Sequence, residues 1–389
     1  MEAPLPTLDA VMDVVLPSLG SRSRANARAV CATWDTALRT LPSPIADGQS
    51  VPVPHGDHVH LVKWSPDGET VAFTFEGGSA SVRLFRMGKA ARDDHPPTEA
   101  TETLLPSLNP ANPRAVVMDI GFSSDVTTLF VVYYEGFEGR DVFVRVQSLT
   151  NPSAPAEDHA TFPNIGQEDE PPGMRLAPRP TAQCFRLAQG CMMFEDDEEI
   201  HDGLQNSEVN VWEKRGLAAA WQLVHTFPIR ANMLDVWFSP DGTHLAVSAT
   251  RFRNNMHHTE RLSVYALATG TRLSTIRHKH GILHLAFSEG NNLVTTLDRR
   301  ARALEHNIIS GACLRLWAGA DCFAQWDRGL SGGVAIVFRD GRVALDGVFQ
   351  TPVIEGPLLP VRKAALSPDG RALVVCGGGV VRVRVRILS

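Results

Sequence analysis

The chain has 389 residues, 43% of them apolar, and a formal net charge of -6. That is enough apolar matter for a large core, and it lacks the basic balance on which general nucleic-acid binding relies, so no nucleic-acid partner is expected. No apolar run approaches the roughly 18 residues of a membrane span, so no membrane association is expected either.

The start, Met-Glu-Ala-Pro, is acidic, and Pro17 interrupts the first apolar stretch, which is not the pattern of a secretory signal. Residues 1–46 instead carry helical spacing. Leu8, Val11, Met12, Val15 and Leu19 recur every three or four positions, with Thr7 as a cap and Pro17 and Gly20 as stops. Ala29, Val30, Trp34, Ala37, Leu38 and Leu41 predict a second helical stretch, closed by Pro42 and Pro44. Forty-odd residues of this kind bury too little to stand alone and are expected to pack on the rest of the chain or on a partner.

From Gln49 onward the pattern changes to strand and turn. Ser-Pro-Asp-Gly occurs at Ser65–Gly68, Ser239–Gly242 and Ser367–Gly370, each time between two apolar runs. Proline presets φ, aspartate bonds the local backbone, and glycine takes the positive-φ position, so each copy predicts a β-hairpin. Degenerate copies fill the gaps, placing turns near residues 65, 123, 186, 239, 288, 327 and 367. Spacings of roughly 40 to 60 residues suit four-stranded propeller blades with loop insertions. The expected fold class is therefore mainly β: a seven-bladed β-propeller over 49–389, preceded by a small α-helical segment at 1–46. The polar, Pro-rich or acidic stretches 90–113, 149–180, 195–199 and 251–260 read as solvated loops inserted into it.

Each repeat offers a third apolar-alternating strand: Val82–Arg86, Val142–Val146, Val209–Glu213, Leu262–Tyr265, Leu314–Trp317 and Val381–Ile387. The last repeat lacks an outer strand, and Ser50–Pro54 is expected to supply it, closing a ring and removing its open edges. Trp212-Glu213 stands where a Trp-Asp pair would be, and Phe85, Tyr265 and Trp317 hold the aromatic position. Thr269–Leu273 with Ile276 and His278 fits the link from third to fourth strand. On these residues the region 50–389 resembles the WD-repeat family, with degenerate repeats.

Leu5-Pro6, then Val14-Val15-Leu16-Pro17-Ser18-Leu19, then Val30-Cys31-Ala32-Thr33-Trp34 resembles an F-box. That resemblance implies docking to the Skp-type adaptor of a cullin-RING ubiquitin ligase. The adaptor-binding residues it implies are Leu5, Pro6, Val11, Val15, Leu16, Pro17, Leu19, Val30, Cys31 and Trp34. An F-box ahead of a propeller implies a client-recognition subunit, with the propeller holding the protein to be ubiquitinated. The competing expectations are a scaffold whose first residues only brace the ring, and a hydrolase-associated or periplasmic-type propeller.

Arg382, Arg384 and Arg386 alternate with valines and so share one face of one strand, a candidate for holding an acidic or phosphorylated client peptide. His58 and His60 are spaced for one strand face, but no cysteine or carboxylate completes a zinc set, and no metal or other cofactor is expected. The run Glu195–Glu199 lacks the alternate-ligand pattern of a calcium loop. No Gly-x-Ser-x-Gly, phosphate-binding loop or His-Glu-x-x-His occurs, so no catalytic residues are assigned and the chain reads as a non-enzyme. The six cysteines are scattered without Cys-x-x-Cys spacing, which points to a reducing intracellular compartment, cytoplasm or nucleus.

Overall fold

The computed structural model describes residues 50–52, 58–76, 82–86, 101–104, 115–134, 141–151, 157–163, 173–177, 184–192, 206–216, 219–231, 233–253, 257–288, 292–328, 331–338, 343–345, 348–349, 363–368, 372–377 and 380–385. The chain divides into Met1–Ala46 and Asp47–Ser389, and all of the first unit lies outside the described residues.

The Ser-Pro-Asp-Gly hairpins form for a local reason. Ser65 Oγ donates to Asp67 Oδ1 at 2.5 Å and accepts from the Thr70 amide at 2.9 Å, while Gly68 N–H donates to the Ser65 carbonyl at 2.9 Å. Gly68 sits at φ +69. Ser239, Asp241, Gly242 and His244 repeat this, with Gly242 also at φ +69. The degenerate copy Ser123-Ser124-Asp125-Val126 keeps both serine bonds but puts Val126 at φ 58, a left-handed conformation costly for a branched side chain. Of the third copy, Ser367 and Pro368 are described.

Every described element is a strand. After β1 (Ser50–Pro52) come β2 (His58–Trp64), β3 (Thr70–Glu76), β4 (Val82–Arg86) and β5 (Thr101–Leu104), the first blade. The second comprises β6 (Val116–Phe122), β7 (Thr128–Tyr134), β8 (Asp141–Ser148) and β9 (Glu157–Pro163). The third comprises β10 (Met174–Leu176), β11 (Phe185–Met192), β12 (Asn206–Lys214) and β13 (Gln222–Arg230). The fourth is β14 (Met233–Phe238), β15 (His244–Arg253), β16 (His257–Ala266) and β17 (Thr271–His278). The fifth is β18 (Ile282–Ser288), β19 (Leu293–Asp298), β20 (Arg302–Asn307) and β21 (Cys313–Ala318). A sixth sheet holds β22 (Ala320–Arg328), β23 (Ser331–Phe338), β24 (Val343–Leu345) and β25 (Val348–Phe349). The closing sheet runs β1-β28-β27-β26, with β26 (Lys363–Leu366), β27 (Ala372–Gly377) and β28 (Val380–Val385). All pairings are antiparallel.

Each blade is covered on both sides, which explains its uninterrupted apolar runs. In β7, Leu129, Val131 and Tyr133 pack with Ala72, Val82 and Leu84 of the first blade. The intervening Phe130 and Val132 pack with Met174, Phe185 and Leu187 of the third. Period-two geometry sends alternate side chains to opposite neighbours. The same arrangement passes from sheet to sheet until Val374 and Cys376 of β27 meet Val71, Phe73 and Phe85 of the first blade, completing a ring. First strands of neighbouring sheets touch (β2 with β6 and β26, β6 with β10, β10 with β14, β18 with β22), so they form the inner edge.

The expected fold class requires correction. Among the described residues there is no helix, and the α-helical part of the expectation falls on residues 1–46, outside them. Seven equivalent blades are not what the sheets form. Five blades are complete, with outer strands of 4 to 9 residues. The last two sheets are reduced, ending in a two-residue β25 and a three-residue β1. The fold is a mainly β propeller with five full blades and a reduced closing segment.

Other expectations also shift. The turn placed at Arg186–Gly190 is interior to β11, whereas the one placed over Asp327–Gly333 agrees with β22 ending at Arg328 and β23 beginning at Ser331. Gly190 is no turn signal: a Cβ there would lie 3.0 Å from Leu234 Cβ, so it serves close blade approach. Leu314–Trp317 is the outer strand of its blade, since β20 takes the third place. Within 251–260, residues 251–253 and 257–260 form the long ends of β15 and β16, paired from Arg251↔Thr259 to Arg253↔His257. Segments 90–113 and 149–180 contain β5, β9 and β10. The closure by the first strand is present: Ser50↔Arg382, Val51↔Val381 and Pro52↔Val380.

Candidate interaction surfaces

The inner strands place titratable residues at one level of the ring. Asp119, Asp235, His284 and Lys363 each stand four residues before a turn serine, in β6, β14, β18 and β26. Lys63 Nζ donates to Asp119 Oδ1 at 2.6 Å. The carboxylate of Asp119, 2% exposed, also accepts the Leu176 amide of the next blade at 2.8 Å and its neighbour Ile120 N–H at 2.9 Å. Arg175 continues the series, with Nη2 3.5 Å from Asp235 Oδ1. His284 follows; burial first, then the nearby cations Lys363 and Arg175, push it down to about 4, so it is neutral at pH 7. Lys63 with Asp119, Asp119 with the Leu176 amide, and Arg175 with Asp235 bind blade to blade; among these groups none forms a nucleophile–base pair.

Glu213, the residue in the place of a Trp-Asp aspartate, is a buried strut. Arg186 Nε and Arg215 Nε each lie 2.6 Å from its oxygens. Burial raises its pKa, but the bonds from Arg215 and Arg186 outweigh this and hold it below the ordinary value.

The fourth and fifth blades meet at a second constellation. Glu260, buried at the end of β16, accepts Ser248 Oγ–H and the Ile282 amide of the next blade. Burial dominates its environment and raises its pKa. His278 and His306 pack edge to face with centroids 5.2 Å apart. Burial, then His306, pushes His278 down to about 4. Beyond this seam the turns 279–281 and 299–301 lie side by side, joined by Arg299 N–H to Gly281 C=O at 3.0 Å.

The residues expected from sequence fall as follows. Leu5, Pro6, Val11, Val15, Leu16, Pro17, Leu19, Val30, Cys31 and Trp34 lie outside the described residues, as do Glu195–Glu199 and Arg386. Arg382 and Arg384 belong to β28, opposite Val375 and Leu373 of β27. The shared face expected for His58 and His60 is interrupted, because the β2–β3 register shifts between Val59 and Leu61. Among the described residues no three metal-ligating side chains gather, and no helix is long and apolar enough to cross a membrane. Sequence reasoning missed Lys63, Asp119 and Arg175; the recurrence of a titratable residue four positions before the turn serine could have found Asp119, while Lys63 and Arg175 stand outside that spacing.

No family model matches the chain, and no curated protein matches it. Solved structures do match in fold. A chain of the structure titled "Crystal Structure of Mitotic Checkpoint Complex" superposes with a TM-score of 0.54 over 90% of this chain and 98% of its own length, at 14% identity. That neighbour is a WD40-type propeller. At this identity the likeness is one of fold: the described ring is a WD40-like β-propeller.

Proposed function

We propose that this chain is a non-catalytic protein-binding propeller, and in finer terms the client-recognition subunit of a Skp/cullin/F-box ubiquitin ligase. The observation that carries the finer reading is the F-box-like pattern Leu5-Pro6, Val15-Leu16-Pro17 and Val30-Cys31-x-x-Trp34 directly ahead of a WD40-like ring. Apolar residues that so short a segment cannot bury by itself suit docking to an adaptor. In support of the broader reading, the neighbouring fold comes from a structure named for a protein complex, and the inner-ring charges are spent on holding blades together.

A scaffold without ligase function is the second reading, since the interaction character of the ring alone would serve it. Co-purification separates the two. Full-length chain is expected to recover the Skp-type adaptor and cullin, and a chain lacking residues 1–46 is expected to lose them. Equal recovery with both, or with neither, removes the ligase reading. The double change Pro6→Ala, Trp34→Ala is expected to act like the deletion.

A further inference from the structure

A cluster of cations stands at the end of the seam between the fourth and fifth blades. Lys279 and His280 occupy the β17–β18 turn, and Arg299 and Arg300 the β19–β20 turn. Lys279, Arg299 and Arg300 are exposed and His280 half-buried. The backbone that presents them is fixed. Arg299 N–H donates to Gly281 C=O at 3.0 Å, and the Ala301 carbonyl accepts both Gly319 N–H at 2.8 Å and Ala320 N–H at 3.1 Å.

The described acids beside these turns are already engaged. Asp298, buried beneath them, accepts the Arg300 and Arg302 amides at 2.9 and 3.1 Å and the Arg302 guanidinium at 2.8 and 2.6 Å. Glu260 is taken by Ser248 and the Ile282 amide and balances part of the Arg299 charge, and Asp235 is taken by Arg175, which leaves Lys279 and Arg300 as the uncompensated pair. His280 registers the surplus: after burial, Arg300, Arg302 and Lys279 all disfavour its protonation, and only Asp298 opposes them. In a chain of net charge -6, this concentration of positive charge runs against the composition.

An apolar contact point adjoins it. The β18–β19 register shifts between Ile282 and His284, so Leu283 is an unpaired bulge residue, and it is 49% exposed. A bulge re-aims a side chain, here two residues from the cationic turn.

We infer that Lys279, Arg299, Arg300 and Leu283 form a docking surface for an acidic segment of a partner protein that carries an apolar side chain among its carboxylates. Two guanidinium forks and an ammonium on fixed turns suit carboxylates, and Leu283 offers the contact that pure charge attraction lacks. A nucleic acid is disfavoured because the chain carries a net charge of -6, whereas phosphate backbones are held by proteins with a basic balance. The inference rests on the ring as a protein-binding platform and is independent of the adaptor-docking reading, which is tested by co-purification.

The test titrates the full-length chain into a fluorescently labelled peptide of glutamates flanking one leucine, and into a single-stranded oligonucleotide of equal charge. Expected are saturable peptide binding that weakens with salt, and a loss of about tenfold or more in Lys279→Glu/Arg299→Glu/Arg300→Glu. Leu283→Ser is expected to weaken binding severalfold without changing its salt dependence. Because Arg299 lies over Gly281 near Glu260, the double variant Lys279→Glu/Arg300→Glu keeps the test valid if the triple variant misfolds, as judged by circular dichroism and melting. Absence of peptide binding, undiminished affinity in a folded charge-reversed variant, or oligonucleotide binding as tight as the peptide's would each overturn the inference.

Discussion

Trp64 donates its indole N–H to the carbonyl of Ala365 at 3.1 Å, joining residues 301 apart in sequence across the last gap in the ring. The bond joins β2 to β26 at the inner edge, while β1 pairs with β28 at the outer edge of the closing sheet, so the closure is held by a side chain as well as by a strand. Trp64→Phe keeps most of the packing and removes the donor. It is expected to cost about 1 kcal/mol, read as a lower midpoint in urea unfolding. Deleting residues 49–54 removes β1 and is expected to cost more; an unchanged melting temperature would show that the strand pairing contributes nothing.

Asp119 ties three elements together through one carboxylate. Replacing it with alanine leaves the Leu176 amide without its acceptor and Lys63 without its partner. A loss of about 2–4 kcal/mol is expected. Lys63→Met should cost less, because the lysine side chain is 40% exposed and the two amide bonds survive. A ranking in the opposite order in chemical denaturation would mean that the ion pair, and not the amide bonds, supplies the stability.

Val126 and Ala301 both sit at φ 58, where glycine is favoured. Val126→Gly and Ala301→Gly are each expected to stabilise the ring, by about 0.5–1 kcal/mol after the added entropy of the unfolded chain is counted. The gain at 126 should be the smaller, since valine methyls pack against the neighbouring blade cluster. Gly242→Ala makes the converse change and should lose about 1 kcal/mol. Thermal melts of the three variants decide the matter.

Acid should loosen the fourth and fifth blades first. His278 is 7% exposed and held at about 4 in the fold, and His284 likewise, whereas in the unfolded chain both titrate near the ordinary histidine value of about 6.5. Below that value the unfolded state binds more protons, so their contribution is complete above pH about 6.5 and is lost as pH falls toward about 4. His278→Gln should flatten this dependence in melts recorded between pH 7 and 4.5. An unaltered slope would place the acid sensitivity elsewhere.

Much of the ring was legible because its hairpins are local. Ser65–Gly68 and Ser239–Gly242 announce themselves through turn chemistry that needs no tertiary context, and β1 could be foreseen because an open sheet edge has to be covered. Legibility failed where tertiary contacts override local signals. Gly190 reads as a turn and is a strand residue facing Leu234. The polar stretch 251–260 reads as a loop, yet its backbone pairs for several residues and Glu260 is buried between blades. Leu314–Trp317 looks like a third strand because outer and third strands share the same alternation. The cationic turns were invisible, since Lys279 and Arg299 are 20 positions apart and meet only through the backbone bond at Gly281.

The strand that completes the closing sheet is made first and used last. A growing chain delivers β1 long before β28 exists, so until residues 363–385 are synthesised the first blade and the sixth sheet present unsatisfied flanks. Such flanks are where a chaperone would hold the nascent protein and where off-pathway aggregation would begin. A stop codon or frameshift that removed β28 would strand β1 and leave the toroid open, so late truncations should impair the molecule far more than their length suggests.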